Sequence, residues 1–360
     1  MIGPENNEGQ SNNQTRIYTG GKLSLRICIV GSGAVGGLIG VRLSVSGQVV
    51  TFIDKDDQLT AIQEKGLKLI LEDGEELVAK DAKATGSFED AGEQDVVILS
   101  VKAHQIPEVA PHLPALFGPD TSVVTVQNGI PWWYFQRHGG KHEGKRLESL
   151  DPTGAIEANI NADRIIGCVA YPAAAIVEPG VVKHVEGDRF PLGELDGSET
   201  DRCQVLMQTF MDSGFRSRVI DNIRAEIWLK AWGTMSFNPI SALTHATMVD
   251  ICRFSETREL AAEMMREAEE TAGKLGITFR RTIERRIEGA ESVGAHKTSM
   301  LQDVEAGRSL EIEALMGAII ELSRLTQTPS PAIDTVYACV KLLNKTFTEA
   351  ESKVVLSHSD

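Results

Sequence analysis

The chain has little of what marks several large functional classes. Aromatic residues make up only 5% of its 360 positions, which leaves no surplus for base-stacking platforms. Basic side chains are in deficit, 36 Lys and Arg against 51 Asp and Glu. The resulting charge of −15 argues against nucleic acid or an anionic membrane as partner. A small anionic substrate stays open, because it needs only a local basic pocket. No apolar run approaches the roughly 20 residues that span a bilayer, which predicts a soluble protein. The five cysteines (Cys28, Cys168, Cys203, Cys252 and Cys339) are scattered and form no CxxC pair. Such a set predicts reduced, buried thiols in a cytoplasmic protein and excludes a disulfide frame. The His and Asp residues show no spacing that would hold a metal.

What is present is a globular composition, 42% hydrophobic and 24% charged, with length enough for two separate cores. Residues 1–22 are rich in Asn, Gln, Gly and Ser and lack the apolar core of a secretory signal, so they predict a disordered extension. Over 23–221, short apolar runs alternate with helical stretches. Residues 25–30, 49–53, 96–100 and 122–126 read as strands buried on both faces, with helices over 34–46, 58–65 and 106–116. That alternation predicts a doubly wound, Rossmann-like α/β domain. Residues 67–71 and 77–84 flank a Glu-Asp-Gly turn and predict a hairpin or edge strands. Short strands over 164–195 predict an antiparallel extension of the sheet, closed by a helix over 199–211 and a strand over 216–220. From 222 to 352 the pattern predicts an all-helical domain, with helices at 223–237, 259–275, 299–308, 311–326 and 332–344. Residues 353–360 are left as a C-terminal tail. The apolar helix face over 315–325 leaves internal packing and a homodimer both open.

The strongest local signal is Gly31-Ser32-Gly33-Ala34-Val35-Gly36, which follows a predicted strand and opens a helix. Gly31 permits the tight turn, Gly33 lets backbone approach a pyrophosphate, and Gly36 lets helix and strand pack closely. The helix start offers N–H donors and a favourable dipole. In that frame the motif predicts dinucleotide binding. The next strand ends at Asp54-Lys55, where the adenosine ribose is read. Asp54 suits NAD, because its carboxylate accepts from both ribose hydroxyls; Lys55 suits the 2′-phosphate of NADP.

Ligands in this fold sit at the carboxyl ends of strands, which places Lys102 (in Ser100–Gln105) and Asn128 (in Gln127-Asn128-Gly129) beside cofactor and substrate. In the helical half, Lys230 lies among Trp228, Leu229 and Trp232. Burial there would lower its pKa towards the working range of a general acid, whereas a snorkelling surface lysine is the bland alternative.

Taken together, the motifs GSGAVG (31–36), SVKAHQ (100–105), QNG (127–129), NIRAEIWLK (222–230), FNPISAL (237–243) and SMLQD (299–303) resemble the ketopantoate reductase (2-dehydropantoate 2-reductase) family, from about residue 25 to the last helix. The resemblance implies a helical half like the C-terminal domain of 6-phosphogluconate dehydrogenase. It also implies NADPH-dependent reduction of a 2-oxo acid to an (R)-2-hydroxy acid, on the route to pantothenate and coenzyme A. By the same resemblance Lys230 is the general acid, Glu311 engages the substrate and the lysine, and Ser299 and Asn238 contact the substrate. Asn128 and Lys102 contact cofactor ribose and cleft.

Three positions depart from the family's pattern. Thr234 and His296 stand where asparagines face the substrate, and Lys55, preceded by Asp54, stands at the 2′-phosphate arginine. These keep a second reading open, an NAD(P)-dependent D-2-hydroxy acid dehydrogenase for another branched or aromatic 2-oxo acid. They also keep NAD open as cofactor. A non-catalytic dinucleotide sensor is disfavoured by the presence of both Lys230 and Glu311.

Overall fold

The computed structural model describes residues 17–19 and 22–354. Residues 1–16 and 20–21 of the expected extension, and 355–360 of the expected C-terminal tail, lie outside the described residues. The extension is not structureless throughout: Ile17–Thr19 pairs antiparallel with Lys22–Ser24. The two segments flank a Gly-Gly dipeptide, a strong short-range hairpin signal.

The first half is built on an eight-stranded sheet. Its order is Arg216–Val219, Arg189–Glu194, Ile165–Cys168, Phe117–Thr125, Gln94–Leu99, Arg26–Val30, Val49–Ile53 and Lys83–Thr85. Six of these strands are parallel; Ile165–Cys168 meets Arg189–Glu194 antiparallel, so the last two run the other way. Ile27, Ile29, Val97, Ile98, Val123 and Val124 have no solvent exposure, because both faces of the central strands are covered. This is the doubly wound arrangement that the alternating pattern predicts.

Two elements differ from expectation. Of the strands over 164–195, Ala173–Glu178 and Val181–Glu186 leave the main sheet and join Leu67–Ile70 and Glu76–Ala79 in a second, four-stranded sheet. That sheet packs on the helix Ala34–Val45, whose Leu38, Ile39, Val41 and Leu43 are fully buried. A helix covered by sheets on two sides needs apolar residues all round, and it has them. The helix expected over 106–116 is instead one turn, Ile106–Val109, followed by a 3₁₀ segment, Ala110–Leu116. Pro107 is tolerated in the first turn, but Pro111 and Pro114 withhold N–H groups that a continuous α-helix requires.

The second half is helical, as predicted. It is centred on Ile223–Thr244, which packs against Ser255–Lys274, Ser299–Glu305 and Pro331–Glu349. The central helix continues through Pro239 and beyond the expected end at 237. Met248–Arg253 and Ile283–Ser292 are helices that the periodicity did not mark. The apolar face over 315–325 packs internally, with Leu315, Ile319, Ile320 and Leu322 in the core. Four cysteines are buried, but Cys339 is exposed, contrary to expectation, because it lies on an outer face of Pro331–Glu349. Among the described residues no helix is long and apolar enough to cross a membrane.

One apolar core crosses the junction of the halves, joining Leu99, Val123, Ile130 and Trp133 to Trp228, Met235 and Met316. Arg224, buried at the start of the central helix, fastens the same junction. Its guanidinium donates to the carbonyls of Tyr134 and Gln136, each at 2.6 Å, and to that of Leu195. Its direct partners are neutral carbonyls, and burial lowers its pKa. Arg224→Ala should therefore cost about 3 kcal/mol or more, since three buried acceptors lose their donor. Urea unfolding measures this, and an unchanged midpoint would show that the carbonyls find other donors.

Candidate active site

The glycine-rich turn sits between Arg26–Val30 and Ala34–Val45. Gly31 has φ +93°, and its N–H donates to the Ile53 carbonyl at 2.9 Å. At Gly36 a Cβ would lie 2.0 Å from the Gly31 carbonyl oxygen and 2.4 Å from Ser100 Oγ, so only glycine lets the helix approach so closely. Gly33, the N-cap, carries no side-chain cap, and no atom lies within 4 Å of where its Cβ would be. The N–H groups of Ala34, Val35 and Gly36 therefore begin a helix with free donors beside open space. Such a cradle fits the pyrophosphate of a dinucleotide.

Ser32, fully buried, donates both its N–H (2.7 Å) and its hydroxyl (2.5 Å) to Asp54 Oδ2, and the Lys55 N–H donates to Asp54 Oδ1 at 2.9 Å. Asp54 is thus drawn in against the turn. Lys55 is exposed, with its ammonium 3.7 Å from Glu108.

Across the junction, the Lys230 ammonium donates to Asn128 Oδ1 and to the Ala170 carbonyl, and lies 6.0 Å from the centre of the Tyr171 ring. Loss of hydration lowers its pKa to about 8, while the Glu311 carboxylate and the Cys168 thiol oppose the shift. Glu311 Oε1 accepts from the Ala103 N–H at 3.0 Å, and burial raises its pKa. Asn128 follows the strand Phe117–Thr125, and the N–H of Ile130, two residues on, donates to the Ala314 carbonyl at 2.8 Å. Ala314 belongs to a π turn, Glu313–Gly317, that starts just after Glu311. The partners of the lysine are thus pinned to each other.

The other expected residues fall into three groups. Asn238 Nδ2 donates to Ser299 Oγ at 3.3 Å, joining two expected substrate contacts. Thr234, one turn after Lys230, returns its hydroxyl to the Lys230 and Ala231 carbonyls at 3.3 and 3.2 Å. Lys102 is engaged in the junction: its ammonium lies 2.7 Å from Asp303 Oδ2 and 3.1 Å from the Ser309 carbonyl. Asp303 Oδ1 in turn receives Arg308 Nε at 2.8 Å.

Several residues around the lysine carried no recognisable signal in the sequence. The Tyr171 hydroxyl donates to Glu226 Oε1 at 2.7 Å, and Arg189 donates to the same oxygen at 2.9 Å while lying over the Tyr171 ring. Tyr171 lies in the short link between the strands Ile165–Cys168 and Ala173–Glu178, and Arg189 opens a strand of unremarkable pattern. Glu226, inside the quoted 222–230 motif, was the one available hint.

Among known proteins, the family model described as ketopantoate reductase PanE/ApbA matches residues 27–197, and its C-terminal counterpart matches 222–344. A 2-dehydropantoate 2-reductase of Mesorhizobium japonicum is 47% identical over 89% of this chain and 98% of its own length. A crystal structure from Ralstonia solanacearum MolK2, assigned as a ketopantoate reductase, superposes with TM-score 0.86 at 37% identity, covering 90% of this chain and 99% of that one. D-mandelate dehydrogenase, solved with NADH and anilino(oxo)acetate, shares the fold at 24% identity and TM-score 0.77 over 89% of this chain and 99% of its own. The glycine turn, the desolvated lysine and these matches over both halves agree, and the chain belongs to the ketopantoate reductase family of oxidoreductases acting on CH–OH groups.

Proposed function

We propose that the protein reduces ketopantoate to (R)-pantoate, on the route to pantothenate and coenzyme A, with Lys230 as general acid. The observation that carries this reading is the Lys230 ammonium, held by Asn128 and the Ala170 carbonyl with a pKa near 8. The dinucleotide held by residues 31–36 supplies a hydride when bound; the chain's own residues handle the proton and the substrate. An ammonium beside the keto oxygen stabilises the negative charge that develops there and then delivers its proton. Glu311 keeps the amine from losing its proton too early. Asn128 uses its oxygen on the lysine, and its Nδ2, which has no hydrogen-bond partner among the described residues, remains to orient ribose or substrate. Asn238 and Ser299 form the polar end of the substrate site.

A second reading, an NAD(P)-dependent D-2-hydroxy acid dehydrogenase for another branched or aromatic 2-oxo acid, is favoured by Thr234. Its hydroxyl is turned into its own helix, so this position offers less to a substrate hydroxyl than an asparagine would. Cofactor choice turns on residues 54–57. The resemblance implies NADPH, yet Lys55 is flanked in sequence by three acids (Asp54, Asp56 and Asp57), and its ammonium faces a fourth, Glu108, at 3.7 Å. That balance favours the dinucleotide without a 2′-phosphate.

Steady-state assays of ketopantoate against other branched and aromatic 2-oxo acids, each with NADPH and NADH, test both readings. Brisk turnover of another acid with none of ketopantoate would reject the first. Lys230→Ala should lower kcat by about 10²-fold or more and spare dinucleotide affinity; an unchanged kcat would remove the lysine from the mechanism. The general acid must be protonated, so reductive kcat should fall as pH rises through about 8. Glu311→Gln removes a charge that favours the ammonium, so the fall should begin at lower pH. A profile that is flat across this range, or unmoved by the substitution, would contradict the assignment. Asp54→Ala should improve NADPH relative to NADH; a constant ratio would mean that this carboxylate does not act on the 2′-position.

A further inference from the structure

Ser32 is buried inside the glycine-rich turn, and each of its polar groups is engaged. Its N–H and its hydroxyl donate to Asp54 Oδ2, at 2.7 and 2.5 Å. Its carbonyl accepts from Gln58 Nε2 at 2.8 Å. Gln58 stands in the first turn of the helix Asp56–Lys65, and its Oε1 accepts from the Gly180 N–H at 2.9 Å. The amide is therefore wedged between a group that only accepts and a group that only donates, which leaves it one orientation.

Gly180 is itself held. It forms the turn between the strands Ala173–Glu178 and Val181–Glu186 of the second sheet, with φ +78°. Its carbonyl accepts from the Lys68 N–H at 2.9 Å, and a Cβ there would lie 2.9 Å from Ala61 Cβ, on the same helix as Gln58. The turn is thus seated on that helix and on the strand Leu67–Ile70, so Gln58 Oε1 meets a fixed donor. Through this side chain the second sheet reaches the glycine-rich turn.

What the contact fixes is a peptide plane. In a trans peptide the carbonyl and the following N–H point to opposite sides. Fastening the Ser32 carbonyl to Gln58 therefore turns the Gly33 N–H away from the helix Asp56–Lys65. That N–H has no partner among the described residues, and it stands next to the free donors of Ala34, Val35 and Gly36. Unpartnered donors at a helix start suit the oxygens of a phosphate.

We propose that Gln58 is a positioning residue of the dinucleotide site: it ties the Ser32 carbonyl to the turn of the second sheet, and so aims the Gly33 N–H at the pyrophosphate. The inference rests on the dinucleotide reading of residues 31–36 and deepens it. It gives the second sheet a part in binding, as the outer support of the glycine-rich turn. Pyrophosphate is common to NADH and NADPH, so Gln58 acts on affinity and leaves the choice between them to residues 54–57.

The test is titration of NADH and of NADPH, followed by nicotinamide fluorescence, into wild type, Gln58→Met and Gln58→Glu. Methionine keeps the length and removes both bonds. Glutamate still accepts from the Gly180 N–H and loses only the donor to Ser32. Kd should rise about 10-fold in both variants, by the same factor for the two dinucleotides, as expected when one donor to a charged oxygen is misdirected. Titration in about 0.5 M NaCl screens the charge that glutamate adds, and the rise should persist there. In turnover the loss should fall on the KM for dinucleotide, with kcat at saturation within about threefold of wild type. A merely structural glutamine would lower Tm and kcat in Gln58→Met and leave Gln58→Glu, its hairpin still tied, close to wild type. If Gln58→Met fails to fold, Gln58→Glu decides alone. A Kd unchanged in Gln58→Glu, or raised for one dinucleotide only, overturns the inference. Failure of the wild type to bind either dinucleotide would instead bring down the reading of residues 31–36.

Discussion

An ammonium group withdrawn from water at the junction of two halves is the constraint on which this architecture turns. Lys230 has exchanged hydration for an amide oxygen and a main-chain carbonyl, both uncharged, so its positive form is retained at a reduced margin. Neither half can create this state alone. The helical half contributes the lysine and Glu311; the sheet half contributes Asn128 and the Ala170 carbonyl. Packing across the junction therefore sets the state of the lysine, and one apolar core runs through that junction, with Arg224 bonded to three carbonyls there.

The remaining contacts across the junction follow the same logic. Lys102 is paired with Asp303 and the Ser309 carbonyl, and Ala103 gives its N–H to Glu311, so one short segment after the strand Gln94–Leu99 holds two parts of the helical half. Lys102 thereby serves as a fastening between halves. Its charge is largely balanced by Asp303, which also receives Arg308.

Much of this was legible in the sequence, for reasons that differ by element. Buried parallel strands announce themselves as continuous apolar runs, and the glycine turn is dictated by backbone geometry that few other residues tolerate, so sheet and cradle could both be read. Lys230 stood out because a cation among tryptophans is anomalous. The second sheet could not be read, because which strands pair is decided by what covers the helix Ala34–Val45, a long-range matter with no local trace. Prolines at 111 and 114 did carry the signal that breaks the 106–116 segment, and apolar periodicity masked it. Asp54 directly follows the strand Val49–Ile53, as its spacing implies, but its hold on Ser32 depends on side-chain direction, which spacing does not encode.

The π turn over Glu313–Gly317 makes the length of this segment critical. Such a turn accommodates one residue more than an ordinary helical turn, and the surplus is what carries the Ala314 carbonyl out to meet the Ile130 N–H. Removing a single residue from it would let the segment relax into a regular helix with better internal bonding. The same relaxation would rotate everything upstream by roughly 100° about the axis, Glu311 included. This stretch of the gene thus tolerates substitution more readily than deletion, and a small, seemingly benign shortening there would uncouple the two halves where the Ile130 N–H meets the Ala314 carbonyl.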